Sequence, residues 1–227
     1  MCTPTRWTLI FFVLFLAGTA HALPPVEWDG VVGDPQGDEA AVTSPPTTPF
    51  GRIVLVTDRA MFVGASTIIR FDDAAHHDPI NDRYVDVGIV FDREDGCCIH
   101  AYDVCACGYD TTSPPNMACA TRGPGAPWIG TSLVMRFDRD IRALGFVIGN
   151  DRSPSTIYTV ELLDGDGVPI GAVWFAPNGN IRADEFVGVA SPVPFRAARV
   201  SHTRSRVALC LDDVTFSSRA LFAPAAP

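Results

Sequence analysis

A chain of 227 residues that is 47% hydrophobic is long and apolar enough to form one sizeable domain with its own core. Its charged residues make up 19% of the total, and its formal net charge at pH 7 is −9. This negative charge argues against binding to nucleic acid, because contacts with phosphates need clustered positive charge. It is compatible with cations, neutral sugars or basic protein partners.

The N-terminal residues have the pattern of a signal peptide. Arg6 supplies a positive charge, residues 7–20 form a short apolar stretch, and Ala20-His21-Ala22 is a small-x-small cleavage site. We therefore expect cleavage after Ala22 and a secreted, periplasmic or cell-surface protein. No second apolar run of about 20 residues follows, so we expect no integral membrane association.

Residues 23–50 are rich in proline, glycine and acidic residues without periodicity, which is typical of a flexible linker. We expect the folded domain over residues 51–217 and a disordered tail at 218–227. The first predicted strand, residues 52–56, precedes Thr57, which is a candidate N-cap for one short helix.

Short apolar runs then alternate with turn sequences about every 8–12 residues, which predicts an all-β domain built as an antiparallel β-sandwich. Residues 93–128 break this pattern and predict a long Cys-rich loop insertion. Trp174 alternates with smaller residues in its strand and is predicted to lie in the core. The later predicted strands are 67–71, 87–91, 133–137, 144–148, 157–163, 170–175, 186–189, 197–202 and 207–216.

Six cysteines follow the predicted cleavage site, and an even number in an exported chain predicts disulfides. Five of them lie within residues 97–119, so complete pairing requires one of these to bond Cys210. A zinc site is the alternative, but the C-x₂-C spacing that places two thiolates on one ion does not occur. The predicted disulfide cysteines are Cys97, Cys98, Cys105, Cys107, Cys119 and Cys210.

Several segments, taken in order, carry a family resemblance. They include TIIRFDD at 67–73, an F-D-x-x-I-x-A-x-G-F strand pair at 137–146, YTVELLDGDGVPIG at 158–171 and a closing L-D-D-V-T-F at 211–216. In this order they resemble the exported bacterial β-sandwich domains of PEP-CTERM-type proteins, which are similar to galactose-binding-like jelly rolls and carbohydrate-binding modules. The chain departs from that pattern in its Cys-rich insertion and in ending without the sorting tail.

The resemblance implies a jelly roll with a structural calcium ion near two acidic pairs. Asp72-Asp73 ends an early strand and Asp212-Asp213 lies in the last one, and the first and last strands of such jelly rolls tend to be neighbours. Carboxylates suit Ca²⁺, a hard cation that takes about 6–8 oxygen ligands. The alternative is that these residues cap turns and accept backbone N–H hydrogen bonds.

A sugar site needs exposed aromatic faces for stacking and fixed polar groups for the sugar hydroxyls. The Cys-rich insertion supplies both kinds of residue, so we expect the ligand to bind on a loop face built partly from it. The candidate ligand-binding residues are Trp128, Tyr102, Tyr109, Arg122 and Asp110.

Catalytic motifs are absent, since neither G-x-S-x-G nor H-E-x-x-H occurs. We therefore expect a secreted, non-catalytic binding module for glycan or another extracellular polymer. A structural or matrix protein that acts through protein–protein contacts is the alternative, and a hydrolase is a third. A glycoside hydrolase needs paired carboxylates in a cleft, and Glu161 and Glu185 are the only glutamates in the second half of the chain.

Overall fold

The computed structural model describes residues 53–62, 66–104, 110–120, 132–149, 156–178, 182–203 and 209–221, all within one unit spanning Pro45–Pro227. The predicted signal peptide and linker lie outside these residues. Eleven strands and two short 3₁₀ turns, Arg59–Phe62 and Val85–Val87, occur in the described ranges. The strands are β1 (Val54–Val56), β2 (Thr67–Ile69), β3 (Ile89–Arg93), β4 (His100–Asp103), β5 (Asp110–Thr111), β6 (Asn116–Ala120), β7 (Leu133–Gly149), β8 (Tyr158–Leu163), β9 (Pro169–Phe175), β10 (Arg182–His202) and β11 (Leu209–Ser217).

Two long antiparallel strands, β7 and β10, belong to both layers of the sandwich. Their pairing changes register between Ala190 and Phe195 and again before Ala197, where the pair passes from one layer to the other. The first layer has the order β3-β7-β10-β8-β9. The second has the order β4-β6-β11-β7-β10, with β2 beside β11 and with β1 and β5 beside β10.

The largest hydrophobic cluster of the described residues lies between the layers. Phe91 and Met135 from the first layer pack in the same buried cluster as Phe146 and Phe216 from the second. Along β3, fully buried residues alternate with half-buried ones, as expected when one face of a strand meets the core. The predicted all-β, antiparallel sandwich is confirmed, with one short exception in the parallel pairing of β5 with β10.

Two local features differ from the sequence-based expectation. The predicted short helix is a single 3₁₀ turn, and Asp58 rather than Thr57 accepts the N–H of Ala60, at 2.9 Å. The Cys-rich insertion is partly sheet, because β4, β5 and β6 lie within it and extend the second layer. No helix in the described part of the chain is long and apolar enough to cross a membrane.

A disulfide joins Cys119 of β6 to Cys210 of β11. The two residues are direct neighbours in the antiparallel register of these strands, so the sheet itself brings their side chains together. The bond closes a sequence separation of 91 residues. It confirms the expectation that the cysteine cluster reaches Cys210.

The predicted disulfides of Cys97 and Cys98 are not formed, because both thiols are free and exposed. These residues lie in the turn before β4, outside the strand register that places Cys119 opposite Cys210. Cys105 and Cys107 lie outside the described residues, so their pairing stays a prediction.

The first 3₁₀ turn covers part of the outer face of the second layer. Phe62 from this turn packs edge-to-face against Phe186 of β10, with ring centroids 5.5 Å apart. Gly145 and Gly188 provide the space for these rings, since a Cβ at either position would press against Phe62. The apolar residues gathered on this face are Val56, Phe62, Ala143 and Ala190.

Replacement of Gly145 by alanine should destabilise the fold by about 1–3 kcal/mol, because the new methyl group would collide with the rings of Phe186 and Phe62. Urea unfolding of the two proteins measures this difference. Gly165→Ala is the matched control, since its Cβ would meet only the Arg196 side chain, at 3.7 Å. Equal stabilities of Gly145→Ala and Gly165→Ala would contradict the close packing described here.

Candidate functional site

Strand β11 carries two buried carboxylates at a β-bulge. Its pairing with β7 shifts between Asp212 and Thr215, so that one extra residue is inserted at this point. Asp213 adopts a left-handed conformation with a φ of 48°, which aspartate tolerates better than most residues do. Both side chains are almost completely buried. The groups that contact them therefore determine their charge state and their role.

Asp213 is held by two arginines and two hydroxyl groups. Arg59 from the first 3₁₀ turn lies 2.8 Å from its Oδ2, and Arg70 at the end of β2 lies 3.4 Å from its Oδ1. Thr112 donates a hydrogen bond to Oδ2 of Asp213 at 2.9 Å, and the single O–H of Ser113, 3.1 Å from Oδ1 of Asp213, is shared with Asp212. The negative charge of Asp213 is therefore compensated where it is buried.

Asp212 has hydroxyl partners but no arginine among its described contacts. Thr111 and Ser113 donate to its Oδ2, the latter at 2.9 Å, and the N–H of Asp213 donates to its Oδ1 at 2.7 Å. Burial raises the pKa of Asp212 to about 7, although the hydrogen bonds from Thr111, Asp213 and Ser113 act in the opposite direction. This carboxyl group therefore binds a proton near neutral pH.

The two acidic pairs predicted to bind calcium lie in one region but face different partners. Asp72 is close enough to Asp213 that repulsion adds to burial in raising the pKa of Asp72. Asp73 instead accepts hydrogen bonds from Arg83 at 3.0 Å and from Tyr84 at 2.7 Å. Burial favours its neutral form, but these two hydrogen bonds lower the pKa of Asp73 overall.

The calcium ion expected from the resemblance would have to bind carboxylates that already have protein partners. The oxygens of Asp212 and Asp213 are occupied by hydroxyl groups, an N–H group and arginines, and a cation would have to displace them. Among the described residues, no group of three or more His, Cys, Asp or Glu could hold a metal ion. The carboxylates of Asp212 and Asp213 tie the first 3₁₀ turn, the end of β2 and residues 111–113 to β11. The calcium site stays a prediction.

Two of the five predicted ligand-binding residues, Tyr102 and Asp110, lie in the described part of the chain. Tyr102 is only 5% exposed and lies beneath His76 and His77, with ring centroids 5.4 and 4.8 Å away. This burial corrects the prediction that its ring is free to stack on a sugar. Asp110 is exposed and lies 3.6 Å from Arg182. Outside the described residues lie Trp128, Tyr109 and Arg122.

The exposed tryptophan of the described residues is Trp174 on β9, with 45% of its surface accessible. This corrects the prediction that it lies in the core. The pairing of β8 with β9 places Pro169 opposite Leu163 and Gly171 opposite Leu162, so Ile170 is an extra residue. The bulge reverses the inside–outside alternation that follows it, so Val173 and Phe175 face the core and Trp174 faces outward.

Trp174 lies on an open surface that continues across three paired strands. It pairs with Thr159 of β8, which pairs in turn with Ser201 of β10. Such direct neighbours place their Cβ atoms about 4.5–5.5 Å apart on one face. We call this surface the Trp174 face, and its members are Ile157, Thr159, Glu161, Trp174, Arg199 and Ser201.

Charged groups adjoin the tryptophan on this face. Arg199 lies 2.9 Å from Glu161 on one side and 2.7 Å from Glu94 on the other, so the guanidinium group is held between two carboxylates. Ile157 is 43% exposed and extends the apolar part of the face. The Trp174 face therefore combines one aromatic ring, hydroxyl groups and an ion-paired row, all on a rigid sheet.

No family model and no curated protein matches this chain. Among solved structures, the K2 cleaved adhesin domain of Lys-gingipain (Kgp) is similar with a TM-score of 0.47 and 14% identity, over 67% of this chain and 99% of that one. The enzymatically active domain of tailspike protein 4 of bacteriophage CBA120 has a TM-score of 0.35 and 14% identity, over 57% of this chain and 19% of that one. At these values neither structure says what this chain binds. The class defined by its own fold is an all-β sandwich domain.

Replacement of Asp212 by asparagine should raise the melting temperature at pH 8 and leave it nearly unchanged at pH 4. The pKa of the Asp212 carboxyl group is 3.8 in the unfolded chain and about 7 in the folded protein. Its contribution to stability is therefore complete below about pH 4 and is lost as the pH rises to about 7. Asparagine has a similar shape and never ionises. Thermal unfolding of both proteins across this pH range tests the prediction.

The matched control for this experiment is Asp166→Asn, in the exposed turn between β8 and β9. It should leave the pH dependence of the melting temperature as it is in the wild type. A constant difference between Asp212→Asn and the wild type from pH 4 to pH 8 would show that folding does not change the pKa of Asp212.

Proposed function

We propose that this protein is a secreted, non-catalytic binding module that holds a glycan on the Trp174 face. The observation that carries this proposal is the exposed indole ring of Trp174 on the outward face of the paired strands β9, β8 and β10. A large aromatic ring in solvent gains free energy when the apolar face of a sugar ring covers it. The register with β8 prevents the strand from turning this ring into the core.

The polar neighbours of Trp174 suit the hydroxyl groups of a sugar. Thr159 and Ser201 each offer a hydroxyl that donates and accepts hydrogen bonds. Arg199 and Glu161 hold each other in place at 2.9 Å, so a ligand would meet a preorganised donor and acceptor. Both kinds of group project from the same face of the sheet, which favours a ligand lying across several strands.

An extracellular location agrees with this function. The Cys119–Cys210 disulfide fits an extracellular protein, because such bonds persist in oxidising compartments. The proposed signal peptide would deliver the chain to that location. In that location, extracellular polymers such as glycans are available as ligands for an exposed aromatic surface.

Replacement of Trp174 by alanine should weaken glycan binding about 10-fold or more, because a central aromatic contact typically contributes over about 1–2 kcal/mol to affinity. A glycan array identifies the ligand, and calorimetry on the best sugar measures the loss. Ile68→Ala is the matched control, since Ile68 is also 45% exposed but lies on β2 in the other layer. This control should bind as the wild type does.

Two further results decide against the Trp174 face. If Trp128→Ala abolishes binding and Trp174→Ala does not, the glycan binds on the loop face expected from the sequence. If no glycan binds and the reduced protein assembles as its concentration rises, the chain is a structural or matrix protein. Hydrolysis of a bound glycan would refute the non-catalytic part of the proposal.

A further inference from the structure

The turn between β3 and β4 presents two adjacent free cysteines to solvent. Cys97 and Cys98 are both exposed and unbonded. The preceding Gly96 has a φ of 72°, and no atom lies within 4 Å of the point where its Cβ would be. The tip of this turn is therefore open to the approach of another molecule.

Backbone hydrogen bonds hold the turn on both sides of the cysteines. The N–H of Cys97 donates to Oδ1 of Asp95 at 3.2 Å. The N–H of Ile99 donates to the side chain of Asn81 at 3.1 Å, and the carbonyl of Ile99 accepts from Ile80 at 2.9 Å. The thiols thus project from a fixed point of the surface.

Neither thiol has a good partner within the described part of its own chain. Adjacent residues hold their Cα atoms about 3.8 Å apart, below the usual disulfide range of about 4.4–6.8 Å, so a bond between Cys97 and Cys98 would be strained. Cys119 and Cys210 already bond each other and are buried. A partner for the exposed pair has to come from another molecule or from the two cysteines outside the described residues.

Charges around the turn permit a second copy of this chain to approach. Asp95 forms an ion pair with Arg93, and Glu94 lies 2.7 Å from Arg199. Each carboxylate beside the cysteines therefore has an arginine partner in its own chain, and Glu94 shares its arginine with Glu161. Repulsion between two identical turns is reduced accordingly, although the whole chain is acidic.

We propose that Cys97 and Cys98 form the interchain disulfides of a two-fold symmetric dimer. In a two-fold dimer the same surface meets itself, so residue i contacts j while j contacts i. Cys97 can then bond Cys98 of the partner subunit while Cys98 bonds the partner subunit's Cys97. The compartment that oxidises Cys119 and Cys210 supplies the same chemistry to these exposed thiols.

The oxidant in this step is a low-molecular-weight disulfide. The thiolate of Cys97 attacks one sulfur of that disulfide, forms a mixed disulfide and releases one small thiolate. A thiolate of the partner subunit then attacks the protein sulfur of the mixed disulfide and releases the second. Each interchain bond thus oxidises two protein thiols and reduces one small disulfide to two thiols.

Oxidation of a mixture of ¹⁵N-labelled and unlabelled full-length chains with oxidised glutathione tests the proposal. We expect a species of twice the chain mass that a reductant converts to monomer. Mass spectrometry of its peptides should show Cys97–Cys98 links that join labelled to unlabelled chains. The double variant Cys97→Ser/Cys98→Ser should stay monomeric with an unchanged melting temperature.

Three results would overturn the dimer: links from this pair to Cys105 or Cys107 of the same chain, glutathione adducts without interchain links, or a monomer whose two thiols remain open to alkylation. Trp174→Ala should form the dimer as the wild type does, because Trp174 lies on the opposite edge strand of the first layer. Dimer formation and glycan binding are therefore tested separately.

Discussion

The two-residue period of a β-strand decides which side chains of this protein face the core, and a β-bulge reverses that assignment for the residues that follow it. In β9 the extra residue Ile170 turns Trp174 out of the core and into solvent. In β11 the extra residue places Asp212 and Asp213 beneath a loop of hydroxyl side chains. One geometric device therefore creates both the exposed aromatic ring and the buried carboxylate pair.

Burial of two adjacent carboxylates is unfavourable unless hydrogen bonds and opposite charges replace the lost water. Asp213 receives that compensation from Arg59 and Arg70, whereas Asp212 receives hydroxyl groups and stays protonated up to near neutral pH. The pair joins three parts of the chain that are distant in sequence. The oxygens of both carboxylates are used in these contacts.

The first layer carries both proposed interaction sites. Arg199 on β10 links Glu161, on the Trp174 face, to Glu94, beside the cysteine turn. A dimer joined at Cys97 and Cys98 would present two Trp174 faces on one molecule. When one face has bound a repeating polymer, the second face meets the next repeat at a high effective concentration. A modest affinity at each face then gives tight binding of the whole dimer.

Local sequence determined the fold class and the strands, because alternation of apolar and polar residues and the turns between them are short-range properties. The odd count of clustered cysteines also predicted, for complete pairing, the bond to Cys210. Tertiary structure alone decided that Trp174 is exposed, that Cys97 and Cys98 are free and that Asp213 binds arginines. The exposure of Trp174 depends on the register between β8 and β9, which one inserted residue changes without leaving a pattern in either strand. The contacts of Asp213 depend on packing against Arg59, which is 154 residues away in sequence.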